Sequence, residues 1–482
     1  MQDLTEPENI LERIHKDGLD FVEFWFVDMF GELHSLSVPS YSLEAEHFSK
    51  GFQKLDASSI RGFKSVDDSD LLLIPDISTF RELPPYYDTG RRRTARVFVN
   101  IYDEGEDTAR FNKDSRGVVE KAQGEMRKFG MTQARFGPEI EFFMFDSIRL
   151  VPAAANAVSS SGAVGYSIKS VEAPWSQTNT SVNLRGGYYT AKPRDTLDSE
   201  RKNICDDLHR YFGVNVEAHH HEVATSGQCE INIRHDEMLP MADTVTTIKN
   251  LIKVRAKSAG MVATFMPKPI YGDNASAMHV HHSMMAGSEN VFHDQDERTA
   301  GLSQIGRYYM GGILEHAPAL CAISNPTTNS YKRLVPGYEA PTGICWGLSN
   351  RTAAIRIPKT FGDNKSKKRI EYRVPDATSN IYLLEAAILL AGLDGIKKKM
   401  EPGSPVEENV YMMTPEQRRN HNIRFLPSTL KEALDALASD STFLEHVFTR
   451  EFLDTYSSLK YKEYASFAQT PTVWEIAMYS GI

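Results

Sequence analysis

One decapeptide, GPEIEFFMFD at residues 137–146, narrows what this chain can become. In extended backbone, side chains alternate between faces, so Glu139 and Glu141 project together while Ile140, Phe142 and Met144 project the other way. The apolar face suits the core side of a sheet. The opposite face places two acids about 7 Å apart, at about 3.3 Å per residue. At an effective dielectric of about 20 they repel by about 2 kcal/mol, and burial adds a desolvation cost to each. A half-exposed edge strand with two solvated acids has the same alternation, whereas a buried strand needs positive charge between them.

Three more segments alternate in this way: QCEINIR at 228–234, with Gln228, Glu230, Asn232 and Arg234 on one face; 278–283, with His279, His281 and Ser283; and 370–374, with Glu371 and Arg373. Half-solvated antiparallel strands look similar one at a time. Together, their polar faces hold Glu, His and Arg rather than Lys, Thr and Ser. The pattern points to a curved antiparallel sheet whose concave side lines a site and whose back is covered by helices. Helical periodicity is expected over 115–130, 195–211, 238–259, 379–399, 430–438 and 442–457.

Ahead of this lies a smaller α+β unit. It reads as a helix over 5–17, a hairpin of strands 21–27 and 36–38, a helix over 43–50 and strands over 71–75 and 96–102. Between the last helix and these strands, GFQKLDASSIRGF reads as a small-residue loop presenting Asp56, Ser58, Ser59 and Arg61. The unit ends near the polar run 107–114, and the Ala- and Ser-rich stretch 151–165 reads as a mobile surface loop. No internal repeat or long low-complexity tract occurs.

At 482 residues the chain should hold more than one domain. Its 54 basic and 64 acidic residues, net −10, argue against nucleic-acid binding through a generally basic surface. Small anionic substrates then need a locally positive pocket. Cys205, Cys229, Cys321 and Cys345 show no CxxC spacing, which suggests free thiols in a reducing compartment, by default the cytoplasm. The start lacks a secretory signal pattern and no run of 18 apolar residues occurs, so no membrane association is expected.

Glu139, Glu141, Glu222, Glu230, Glu371 and His279 form an oxygen-rich donor set with one imidazole, suited to two hard divalent cations, Mg2+ or Mn2+, rather than structural zinc. In His219-His220-His221 adjacent side chains of a strand point apart, so a structural or supporting role is expected. Arg333, Arg351, Arg356, Arg369 and Arg373 fall in the same half of the chain. Guanidinium forks bind phosphate and carboxylate bidentately, which implies a polyphosphate beside a carboxylate substrate, although surface ion pairs are the alternative for any one arginine. Arg351 and Arg356 fall on opposite faces of a regular strand and share a site only if a bulge or turn intervenes. No GxxxxGK[ST] occurs, so a P-loop site is not expected. The segment 325–341, NPTTNSYKRLVPGYEAP, has the turn formers of a lid that excludes water from a reactive intermediate.

These motifs, with DASSI, HHEVATSGQCEI, KPIYGDNASAMHVHHS, NRTAAIRIP and RIEYRVPD, follow one another in an order that resembles the type I glutamine synthetase family along nearly the whole chain. The resemblance implies a β-grasp-like domain over residues 1–110, a catalytic domain over 111–482, and a homododecamer of two hexameric rings with each site between neighbouring subunits. It implies one metal on Glu141, Glu222 and Glu230 and another on Glu139, His279 and Glu371. ATP would meet Arg356, Arg369 and Ser283, with His281 near the γ-phosphate; Arg333 and Arg373 would hold glutamate's carboxylates, near Asn274 and Ala275, and Arg351 the transferred phosphoryl. Asp56 of the adjacent subunit would take a proton from ammonium, with Ser59, Tyr188 and Glu222 completing a cation pocket. Glu339 would close the site and accept a proton from the adduct. The implied reaction joins ammonia to glutamate through γ-glutamyl phosphate.

Four positions depart from the family pattern: Ala57, Ala275, Ala277 and Ile381. A methyl at Ala275 is expected to narrow the amino-acid end of the site, or to need another backbone angle if φ there is positive. A γ-glutamyl ligase for methylamine or a polyamine, and a catalytically silent family member, are therefore alternatives. The nucleotidylation signature appears only as Tyr411-Met412-Met413, and that regulation is not expected.

Overall fold

A computed structural model describes residues 6–88, 90–103, 109–152, 163–294, 301–359 and 367–482. The N-terminal unit runs α1 (Pro7–Lys16), β1 (Phe21–Val27), β2 (Leu33–Pro39), α2 (Ala45–Ser49), β3 (Phe52–Asp56), β4 (Asp70–Glu82) and β5 (Thr94–Asp103). Its strands lie in the order β2-β1-β5-β4-β3, with β1 and β5 parallel. The β1 sequence, FVEFWFV, is apolar on both faces because both are covered. Val22, Phe24 and Phe26 enter a core with Ile10, Ile14 and Phe48, while Trp25 and Val27 join the core of the larger unit. The stretch expected as one loop before β4 begins instead as β3, pairing with β4. It turns at Asp56, where a carboxylate oxygen accepts from the Ser58 N–H at 3.0 Å.

The larger unit continues with α3 (Ser115–Arg127), β6 (Gln133–Phe145), β7 (Ser147–Pro152), β8 (Ala163–Lys169), α4 (Asp198–Phe212), β9 (Val216–His221), β10 (Gln228–Ile233), β11 (Asp236–Glu237) and α5 (Met238–Ser258). Next come β12 (Val262–Thr264), β13 (Val280–Ala286), β14 (Glu289–Asn290), α6 (Gln304–Glu315), α7 (Ala317–Ser324), α8 (Ser330–Arg333), β15 (Gly343–Gly347), β16 (Ala353–Arg356) and β17 (Ile370–Tyr372). The chain ends in α9 (Ile381–Lys398), α10 (Pro415–Asn420), β18 (Arg424–Phe425), α11 (Leu430–Ser439), α12 (Arg450–Gln469) and α13 (Val473–Tyr479). The ends of the expected mobile loop at 151–165 are paired strand, β7 with β8, and residues 153–162 lie outside the described residues. The helix expected from Thr442 starts only at Arg450, where the Thr449 hydroxyl caps it by accepting from the Phe452 N–H.

The large sheet runs β18-β15-β16-β17-β13-β6-β10-β9, with β11 and β12 beside β6 and β14 beside β13. It is mixed rather than wholly antiparallel, because β15 and β16 are parallel. The short link between them is turned back by buried Asn350, whose amide donates to the carbonyls of Val406 and Glu408 at 2.9 and 2.8 Å. Behind the sheet, α9 is apolar nearly all round and almost wholly buried, as a helix in the middle of a large core must be. It meets α6 so closely that a Cβ on Gly395 would lie 2.2 Å from the Tyr308 carbonyl oxygen. All four cysteines are free thiols, and no helix among the described residues is long and apolar enough to cross a membrane.

Candidate active site

The concave face of the sheet opens on a cavity of about 350 Å³. Strand register builds its floor. Glu230 of β10 stands directly opposite Glu141 of β6 and, on its other side, His220 of β9, so three ionisable groups form a row across three strands. Glu222 follows the end of β9, and its carboxylate lies 3.8 Å from His220 Nδ1; His220 Nε2 lies 3.7 Å from Glu230. His220, Glu222 and Glu230 offer donor atoms within 4.8 Å of one another. His220 thus has a place among the candidate metal donors that the sequence reading did not give it. The signal was present: His220 and Glu222, two apart, share a face of an extended strand. His221, on the other face, reaches buried Glu172 at 3.2 Å, the supporting role expected of the tract.

A second group joins Glu139, His279 and Glu371. His279 Nδ1 donates to Glu139 at 3.0 Å and lies 3.9 Å from Glu371, while His281 Nε2 donates to the other Glu139 oxygen at 2.9 Å. Arg373 donates to Glu371 at 2.6 Å, and Arg356, opposite Glu371 in the register of β16 and β17, stands 2.6 Å from its other oxygen. Both arginines line the cavity, as do Arg333 and Arg351. Arg351 does so because it sits in the turn before β16, the break in the strand that sharing a site with Arg356 requires. Buried Arg333 spends two donors on the carbonyls of Val374 and Arg373, at 2.6 and 2.9 Å. Arg369 lies outside the cavity lining; its Nε reaches His281 Nδ1 at 3.2 Å, and Ser283 follows two residues along the same face of β13.

The electrostatics of the two groups differ. Burial and the neighbouring acids push Glu141 up to about 8, Glu222 up to about 10 and Glu230 up to about 7. Burial acts on Glu139 too, but hydrogen bonds from His279 and His281 hold it well below the usual carboxylate range. Burial and Arg373 push His279 down to about 4, so its imidazole is neutral and keeps a lone pair. Among the described residues Glu141, Glu222 and Glu230 have no lysine or arginine within ion-pair distance, and crowded carboxylates of this kind beside imidazole are a donor set that fits hard divalent cations. Glu141 is held for this by the Ala277 N–H at 2.9 Å and the Gln228 amide at 3.3 Å.

Asn274, Ala275, Ala277, Tyr188 and Glu339 also line the cavity. Neither Ala275, Ala277 nor Ala57 has positive φ, so the methyls replace glycine without backbone strain. Glu339 does have positive φ, +59°, in the segment expected as a lid. That segment is clamped on both sides of Glu339. Lys268 Nζ and the Arg185 guanidinium lie over the Tyr338 ring, 3.7 and 4.3 Å from its centre, and the Tyr411 hydroxyl donates to the Ala340 carbonyl. The chain does not bring Asp56 and Ser59 to its own cavity. They sit on the N-terminal unit, where both Ser58 and Ser59 hydroxyls donate to the exposed Asp56 carboxylate.

Two profiles of one family match the chain, "Glutamine synthetase, beta-Grasp domain" over residues 18–104 and "Glutamine synthetase, catalytic domain" over 112–479. Among similar sequences, the glutamine synthetase of Sulfolobus acidocaldarius is 44% identical over 97% of each chain, and that of Aquifex aeolicus 40% over 98% of each. Among solved structures, the Plasmodium falciparum glutamine synthetase superposes with a TM-score of 0.86 at 27% identity, covering 98% of this chain and 99% of that one. A structure titled as a GmaS/ADP complex superposes at 0.80 with 26% identity over both full chains.

Proposed function

Because this chain belongs to the glutamine synthetase family, we propose that it ligates ammonia to the γ-carboxylate of glutamate at the expense of ATP, giving glutamine, ADP and phosphate. The observation that carries this reading is one cavity in which two carboxylate and imidazole groups face four arginines. Glu141, Glu222 and Glu230, with His220, would hold one divalent cation, and Glu139, His279 and Glu371 a second. Mg2+ or Mn2+ bound there supplies charge neutralisation to the phosphates and carboxylates.

The chain's own groups account for the rest. Arg356, Arg369 and Ser283 bind ATP, with His281 beside the γ-phosphate. Arg333 and Arg373 hold glutamate against Asn274 and Ala275, and the Ala275 methyl narrows that end of the site. Glutamate's γ-carboxylate attacks the γ-phosphorus, the bond to ADP breaks, and Arg351 steadies the transferred phosphoryl as charge spreads over its oxygens. Asp56 of a neighbouring copy removes a proton from ammonium, held by Ser59, Tyr188 and Glu222. Ammonia then adds to the acyl phosphate, Glu339 accepts a proton from the adduct, and phosphate leaves. The exposure of Asp56 and Ser59, away from their own cavity, supports a site completed by a second copy. So does the exposed apolar surface of α13, including Trp474 and Ile476. We assign the whole a dodecamer of two hexameric rings, in the cytoplasm, with the domains divided near residue 110.

Phosphate release with glutamate and ATP, measured with ammonium, methylamine or putrescine as amine, tests the reading. Glutamine formation with ammonium is expected. Turnover with methylamine or putrescine but not ammonium would move the chain to the alternative ligases, and no turnover with any amine to the silent class.

A further inference from the structure

A second cavity, about 530 Å³, lies where the two units meet, away from the candidate active site. One wall is the N-terminal sheet; the other is the end of α4, the turn after β10 and the N-terminal half of α5. Its volume is within the range of small-molecule sites.

Its charge is unusual. The pairing of β4 with β5 slips between Asp76 and Arg81, and beyond the slip Arg81 stands directly opposite Arg96. Like charges placed opposite one another across two strands repel, and irregular pairing of this kind is often found beside sites. Both arginines line the cavity, and among the described residues neither has a carboxylate within ion-pair distance. Among the described residues Arg81 donates only to the backbone carbonyls of Ser78 and Phe80. Arg96 is 6% exposed and gives its terminal nitrogens to the Thr79 carbonyl and the Thr247 hydroxyl, leaving a buried Nε with no partner.

The cavity's buried acid, Asp243, attracts Arg96 through space but forms no ion pair with it or with Arg81 among the described residues. Both oxygens of Asp243 are engaged by Arg116, at 3.1 and 2.9 Å, and one also accepts from the Tyr382 hydroxyl at 2.7 Å. Asp76, on the near wall, is likewise paired with Arg116 at 2.7 Å. A third arginine without an ion pair among the described residues, Arg234, stands on the rim. The Arg96 guanidinium also packs over the rings of Trp25, Phe98 and Phe212, at 5.6, 4.7 and 5.6 Å, and its idle Nε can still take an anionic acceptor.

We propose that this cavity is a binding site for a small organic dianion, its acidic groups taken by Arg81 and Arg96 and its short apolar body lying against Phe212 and Met241. Carboxylate and phosphate share this chemistry. The site is independent of the ligase reaction proposed above.

Calorimetric titration of the full chain with succinate, and separately with inorganic phosphate, tests it. The proteins compared are wild type, Arg81→Ala, Arg96→Met, and an active-site control, Arg373→Ala. Saturable binding of at least one probe is expected, weakened about tenfold or more by Arg81→Ala and by Arg96→Met, as loss of a charge-assisted contact implies, and retained in Arg373→Ala. Succinate binding alone makes the ligand a dicarboxylate; phosphate binding alone makes it a phosphate ester. Because Arg81 is half-buried and donates only to its own turn, its variant tests the site even if Arg96→Met does not fold. Binding that survives Arg81→Ala, that disappears in Arg373→Ala, or that is absent for both probes would overturn the proposal.

Discussion

Replacing Tyr338 with leucine removes the ring over which Lys268 and Arg185 lie. A cation within about 6 Å of an aromatic face contributes about 0.5–1 kcal/mol when exposed and about 2 when desolvated. Arg185 is exposed and Lys268 half-buried, so the pair contributes about 2 kcal/mol, comparable to the roughly 1–3 kcal/mol that left-handed backbone costs at Glu339. The clamp therefore offsets the strain that holds Glu339 over the cavity. If the segment closes over the site as the lid proposed from its sequence, loss of the clamp should lower the ratio of closed to open about thirtyfold, since 1.4 kcal/mol is a factor of ten. A lid that opens admits water to an acyl phosphate. With Tyr338→Leu, ADP formed per glutamine should rise well above one and glutamine formation fall about ten- to thirtyfold. Tyr338→Phe, which keeps the ring, should behave as wild type. Burial pulls Lys268 down to about 8, against the pull of Asp273, so the wild-type leak should grow as pH rises through that value and the cation is lost. Tyr338→Leu should lack this pH dependence. A strict one-to-one ratio in Tyr338→Leu, or equal damage in Tyr338→Phe, would refute the clamp.

Asp56→Asn should reduce glutamine formation by about 10²–10⁴ while γ-glutamyl phosphate still forms, measured as its cyclised product; unchanged glutamine formation would remove Asp56 from its role. His316, buried between Asp440 at 2.7 Å and Asp394 at 2.9 Å, is raised above its ordinary value against burial. Its contribution is complete below the unfolded value near 6.5 and is lost as pH rises through the folded one. Denaturation midpoints should thus fall with rising pH in wild type and flatten in His316→Gln. Glu385 is wholly buried in α9, and among the described residues neither of its oxygens has a hydrogen-bond partner. Glu385→Leu, of similar volume, should stabilise by about 1–3 kcal/mol, seen as a higher urea midpoint; a lower midpoint would show that the acid has a use.

The face on which each polar residue lies is a local property of extended backbone, with a period of two, and it was legible before any fold was known. So were the residue types of the set proposed for metals and phosphates: the carboxylates and imidazole of Glu139, Glu141, Glu222, Glu230, Glu371 and His279, and the arginines from 333 to 373. Helix ends were less legible, because caps such as Thr449 act over a few residues and compete with packing.

Which groups meet was decided by tertiary structure. Glu230 faces Glu141 on one side and His220 on the other only because β10 lies between β6 and β9 in that register, and a one-residue slip would turn every one of them to the opposite face. The parallel β15–β16 pair and the confrontation of Arg81 with Arg96 have the same origin. Sequence alone specified that Glu139 and Glu141 share a side. The structure separated them, tying Glu139 to two histidines and setting Glu141 among acids, because register and burial depend on segments far apart in the chain.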